Sequence, residues 1–222
     1  MPFQIENSRD RYGLVAQTLH WVVALLFLGA FVAVYFRQWF TQADTGLNLV
    51  ALHAHLSLGL SVLVFAGLRL WWRRRSRFQP DDLPGSWWEH LSARVAHAAL
   101  YVLMLAMPLT GYLGTGLATE FYGIVTLPRF ADTWLFNVAV DQGMALTFEE
   151  FEKPVDWLHK TLGEVMVVVL VGLHAAAALF HHFVRRDGAL RRMLPTRQHD
   201  NSEHLPAGSA RHAPAPLHDQ GV

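Results

Sequence analysis

The sequence predicts an all-α protein, a transmembrane four-helix bundle with both termini cytoplasmic. Three observations predict it. Of the 222 residues 52% are hydrophobic and only 16% charged, which is too apolar for an ordinary soluble domain of this size. Four stretches are long enough to cross a bilayer as helix, which takes roughly 20 residues. The Lys and Arg residues also sort to one side of the alternation that four spans would impose.

The first stretch, Leu14 to Phe36, runs 23 residues without a formal charge. It exceeds the apolar core of a secretory leader and has no small-residue cleavage site, so it is expected to be retained. The second, Ala51 to Leu68, reaches spanning length by including Leu70 to Trp72 and letting Arg69 snorkel. The third, Val95 to Ala118, is broken only by Pro108 and by glycines that membrane helices tolerate. The fourth is Val165 to Val184. The expected organisation is a transmembrane domain over 1–195, with spans at about 14–36, 51–72, 92–117 and 158–184, and a disordered His- and Pro-rich tail over 196–222.

With alternating spans, one face carries 14 of the 18 Lys and Arg residues. By the positive-inside rule that face is cytoplasmic, with both termini inside. The opposite face keeps Arg37, Arg129, Lys153 and Lys160. The loop from about Thr119 to Asp156 is then outside, acidic and long. Phe121, Tyr122, Trp134, Phe136 and Phe148 are too apolar for a solvated linker, so a lid or an interfacial segment is expected there. Whole-chain charge is balanced, which gives no reason to expect nucleic acid as a partner.

The absence of Cys excludes disulfides, thiolate metal sites and covalent haem attachment through Cys. The chain instead has 13 histidines, several of them inside the spans, where an imidazole is costly unless it is hydrogen-bonded or ligates a metal. Depth along each helix pairs His20 with His174 near the inner face and His55 with His159 near the outer face. His159 and His174 belong to one span, 15 residues apart, which in regular helix is about 22 Å and only about 60° of rotation beyond whole turns. Two bis-imidazole sites stacked in a four-helix bundle fit two non-covalent b haems. Gly59 and Gly172 would let a flat macrocycle approach the backbone. His97 lies at inner depth and is a candidate spare ligand, proton-transfer residue or quinone contact. His53, His181 and His182 read as interfacial, and Glu164 as either a proton-path residue or a helix-to-helix hydrogen bond.

These motifs resemble the bacterial cytochrome b561 family. The carriers are Leu19-His20-Trp21, His55-Leu56-Ser57-Leu58-Gly59, His97-Ala98-Ala99-Leu100-Tyr101 and Pro108-Leu109-Thr110-Gly111-Tyr112. Most specific is Gly172-Leu173-His174 running through His181-His182 to Asp187-Gly188 and Arg191-Arg192-Met193-Leu194-Pro195. The resemblance covers about Arg11 to Pro195. It implies four spans, two b haems and axial ligands matching His20, His55, His159 and His174.

The resemblance further implies electron transfer between a periplasmic donor and the ubiquinone pool. Superoxide is the most specific donor, which would make the chain a superoxide oxidase. A superoxide site should be electropositive, yet the expected outer face has eight acids against four basic residues. Arg37, Arg129, Lys153 and Lys160 would have to cluster over the outer haem, with Lys160, next to His159, a candidate substrate contact. The alternative is a haem-bearing membrane anchor of a larger dehydrogenase, its acidic outer loop docking a periplasmic redox protein. A haem-free metal transporter would give a colourless protein.

Overall fold

A computed structural model describes residues 4–195; the expected tail at 196–222 lies outside the described residues. Four helices are long and apolar enough to cross a membrane: α1 (Leu14–Phe40), α2 (Gly46–Arg75), α3 (Trp87–Leu113) and α4 (Phe148–Arg185). Their large apolar residues Leu25, Val32, Val64, Val102, Leu173 and Leu179 lie exposed, as expected of surfaces solvated by lipid rather than water.

The helix ends follow local chemistry. Gly13 precedes α1 where the chain folds back on itself, and a Cβ there would meet the Ile5 carbonyl oxygen at 2.3 Å; only glycine allows that approach. α2 starts at Thr45, whose hydroxyl accepts from the Asn48 N–H at 3.3 Å. α3 starts at the Trp87–Trp88 pair, where Glu89 folds back to accept from the Ser86 N–H at 2.8 Å. At α4, Glu150 accepts from the Thr147 N–H at 2.8 Å and Thr147 accepts from the Glu150 N–H at 3.3 Å. α4 reaches well outward of the apolar stretch because this box and the ion pairs Lys153–Glu149 and Lys160–Asp156 support helix through polar sequence. Its turns at Leu162–Val167 and His181–Arg185 are π-helical.

α2 packs against α1 and α3, and α4 leans on α3. Val23, Val62, Ala66 and Met104 form a buried cluster in mid-bundle. Between α3 and α4 the chain forms a small antiparallel hairpin, β1 (Thr119–Phe121) and β2 (Val125–Leu127), a minor departure from an all-α fold. After it, Phe130, Phe136 and Val140 bury themselves against Tyr112 of α3 and Phe148 and Phe151 of α4. The outer connection is therefore a packed cap. The hairpin is pinned to α2: buried Ser57 accepts from the Tyr122 N–H at 3.0 Å and donates to the Glu120 carbonyl at 3.3 Å, while the Tyr122 and Ser61 hydroxyls lie 2.9 Å apart.

Candidate functional site

Two cavities lie between the helices, one toward each end of the bundle, the inner lined by three imidazoles and the outer by two. In the inner cavity the His20 and His174 ring centres are 6.1 Å apart. In the outer one those of His55 and His159 are 6.2 Å apart. The planes of each pair are steeply inclined, at 62° and 81°, which excludes stacking. The depth pairing read from the sequence is thus the spatial pairing.

The separation has a chemical meaning. Two metal–nitrogen bonds of about 2 Å each, plus about 1 Å from each nitrogen to its ring centre, place two axial imidazoles roughly 6 Å apart. Both pairs meet that figure.

Hydrogen bonding fixes which nitrogen is offered in the outer pair. His55 Nδ1 lies 2.8 Å from the Ala30 carbonyl oxygen, an acceptor only, so Nδ1 carries the proton and donates. His159 Nδ1 lies 3.1 Å from the Thr110 hydroxyl oxygen. That hydroxyl has its own proton directed at the Ala106 carbonyl, 2.7 Å away, so it accepts from His159. Each ring then keeps Nε2 as a lone-pair donor, the arrangement that metal-binding histidines use to fix tautomer and orientation. Local sequence builds this: Pro108 cannot continue the α3 hydrogen-bond ladder, and a Thr two residues later bonds back to the preceding turn. Gly111 gives His159 its place, since a Cβ there would stand 3.0 Å from His159 Cε1.

The inner pair is fixed differently. His20 Nδ1 is buried without a hydrogen-bond partner, a costly state in a protein interior. His97 of α3 stands 5.5 Å from the His174 ring, on the same cavity. Below them Trp21 Nε1 donates to the Met193 carbonyl at 2.8 Å, and buried Gln17 donates to the Arg192 carbonyl at 3.1 Å. The Leu-His-Trp motif of α1 and the terminal Arg-Arg-Met-Leu-Pro motif therefore touch.

Haem fits these residues. The inner cavity encloses about 360 Å³, within the range of small-molecule sites, and is lined by apolar side chains around His20, His97, His174 and Arg69. The outer cavity encloses about 50 Å³. Its fit rests on the oriented imidazoles, the open space beside Gly59 and the Thr119 hydroxyl, which is buried there without a partner. Phe27 and Phe31 line both cavities, and with Val23, Val62 and Met104 they make a dry partition between them.

The remaining sequence-level candidates lie elsewhere. Lys160 sits on the outer rim, 2.7 Å from Asp156 in an exposed ion pair. Arg129 pairs with Asp132 and Lys153 with Glu149, and Arg37 donates to the Asn48 side chain at 3.1 Å. His53 accepts from the Glu120 N–H at 3.1 Å and so holds the hairpin. Glu164 is exposed in the π-helical turn and lines neither cavity. Sequence reasoning missed Thr110 and Thr119 as site residues. A Thr two residues after an intrahelical Pro was the available signal for the first; nothing local marked the second.

Comparison with known proteins agrees with this architecture. A family profile described as prokaryotic cytochrome b561 matches residues 11–196. The chain is 30% identical over 200 residues to cytochrome b561 homolog 2 of Escherichia coli (strain K12), covering 85% of this chain and 93% of that protein. It is 26% identical over 189 residues to cytochrome b561 homolog 1 of the same organism, covering 85% and 99%. With the probable superoxide oxidase CybB of Yersinia pestis it shares 25% identity over 190 residues, covering 85% and 98%. The match over most of its length, on a scaffold of four apolar helices, places the chain in the prokaryotic cytochrome b561 family of multi-pass membrane cytochromes, electron-transfer proteins that bind b-type haem.

Proposed function

We propose that the chain is an inner-membrane dihaem cytochrome that moves electrons between a periplasmic donor and the ubiquinone pool, with both termini cytoplasmic. The observation that carries this reading is the pair of histidine pairs, 6.1 and 6.2 Å between ring centres, one in each of two stacked cavities. His20 and His174 hold the inner haem, and His55 and His159 the outer one. Bound haem supplies one-electron transfer. The chain's part is to orient the imidazoles through Ala30 and Thr110, to keep water out with the apolar partition, and to hold both sites on one frame.

Superoxide is the proposed donor, supported by the similarity to a protein named as a probable superoxide oxidase. Two superoxide anions give up one electron each and leave as oxygen; one quinone takes both electrons and two protons and leaves as quinol. A second reading is favoured by the outer surface, where Arg129, Lys153 and Lys160 are each neutralised by an acid. Such a face suits docking of a basic periplasmic redox protein, with the chain as the haem-bearing anchor of a dehydrogenase.

The test is a pyridine haemochrome assay on the purified protein, followed by superoxide addition with and without a quinone analogue. Two haems rapidly reduced by superoxide are expected, and alanine at any of the four histidines should remove one haem. Two haems retained in such a variant would sink the assignment. Two haems indifferent to superoxide but exchanging electrons with quinol would favour the anchor reading.

A further inference from the structure

Arg69 was expected to snorkel out of the second span toward the headgroups. It instead turns inward and lines the inner cavity together with His20, His97 and His174. Its guanidinium carbon lies 5.4 Å from the centre of the Tyr101 ring, and that of Arg73, one turn along α2, lies 5.7 Å from the same centre. Two cations four residues apart repel one another, and a cation at membrane depth calls for a counter-charge.

Among the described residues no acid pairs with either arginine, and no acid lines the inner cavity. The ring face of Tyr101 offers partial compensation only. A bound anion is the partner that two such cations at one cavity edge are suited to hold. A single ligand serving both would reach Arg69 within the cavity and Arg73 on its basic, exposed side, which describes an extended anion with one buried and one accessible end.

We infer that Arg69 and Arg73, splayed on Tyr101, bind the two propionate carboxylates of the haem held between His20 and His174. This inference rests on the dihaem reading. A b-type porphyrin carries two carboxylates on one edge, which matches two guanidinium groups in number and sign, and Arg is the side chain suited to carboxylate recognition. The pair sets the in-plane orientation of the inner haem, with its carboxylate edge toward the basic end of the bundle. A quinone, being neutral, would leave both cations uncompensated. A lipid phosphate could meet Arg73 at the surface but offers nothing that must enter the cavity.

The test uses the full-length holoprotein with R69Q, R69K and R73Q, and R74Q as a control facing away from Tyr101. Haem is counted first, then its rate of loss to excess apomyoglobin is followed in vesicles of phosphatidylcholine alone and of phosphatidylcholine with phosphatidylglycerol. Redox-difference infrared spectra are taken with haem carrying 13C in its propionates.

R69Q is expected to release one haem roughly tenfold faster or more, leaving the other at the wild-type rate. The labelled carboxylate bands should shift in R69Q and move back toward wild type in R69K, with a smaller change in R73Q and none in R74Q. The haem that R69Q loosens should be the one that His20→Ala abolishes. Wild-type release rates with unmoved carboxylate bands in R69Q and R73Q would overturn the inference while leaving the dihaem reading intact. An effect confined to vesicles with phosphatidylglycerol would overturn it in favour of a lipid phosphate. Fewer than two haems in the wild type would overturn the dihaem reading and this inference with it.

Discussion

Thr110 shows how much of the outer site depends on a single hydroxyl. It accepts from His159 at 3.1 Å because its own proton is committed to the Ala106 carbonyl. Thr110→Val keeps shape and removes the acceptor, and loss of such a supporting contact typically costs about 10–100-fold in metal affinity. Two-wave redox titration of this variant should show one midpoint potential displaced and the other unchanged, with Thr110→Ser near wild type; two unmoved waves would deny Thr110 this role. The four paired histidines were legible in the sequence because an intramembrane imidazole is conspicuous and its depth follows from helical rise. Arg69 was not legible in the same way. Depth gives its distance from the headgroups, whereas the choice between snorkelling outward and turning inward depends on the void and the Tyr101 ring supplied by another helix.

Among the elements, α4 departs most from what its sequence suggested. Residues 148–156 are polar and interrupted by Pro154, so they read as part of the outer loop, but the Thr147–Glu150 box and two i,i+4 ion pairs make them helix. Regular-helix arithmetic placed His159 and His174 on one side of this helix. The π-helical turns at Leu162–Val167 intervene, each using more residues than an α turn, and the two rings meet partners on different helices, His55 on α2 and His20 on α1. The far end of α4 is closed by Asp187, which lies 2.5 Å from His181 and accepts from the Ala189 N–H at 3.1 Å. Burial pushes the Asp187 carboxyl up, but the His181 and Ala189 hydrogen bonds and the His181 and Arg185 charges outweigh it and hold it below the usual range. A carboxyl lowered on folding contributes stability that is complete above its unfolded value, about 3.9, and is lost as pH falls through the folded value. Amide exchange over 187–194, corrected for intrinsic rates, should therefore show protection at neutral pH that disappears in acid. Asp187→Asn should lack that protection at both; a protected Asn variant would remove the carboxylate from the account.

For the whole molecule, four spans and one basic face were legible because bilayer thickness and charge asymmetry act on composition directly. The capped outer connection was only partly so. Its aromatic residues announced burial, but Ser57 gave no sign that it would hold a hairpin 65 residues away. The proposed orientation predicts that alkaline phosphatase fused after Gln142 is active and fused after Pro195 is inactive; the reverse pattern would invert the protein in the membrane.

Each histidine pair also joins helices distant in the chain, α1 to α4 across the inner cavity and α2 to α4 across the outer one. α4 makes its helix packing against α3, so in the proposed dihaem state the two metal positions would act as rivets that attach it to the rest of the frame. Ligands that bind only the assembled state raise its stability by mass action. The amount of intact protein in a cell should then follow the supply of iron porphyrin, and a chain made during haem shortage would present a loosened fourth helix to membrane proteases.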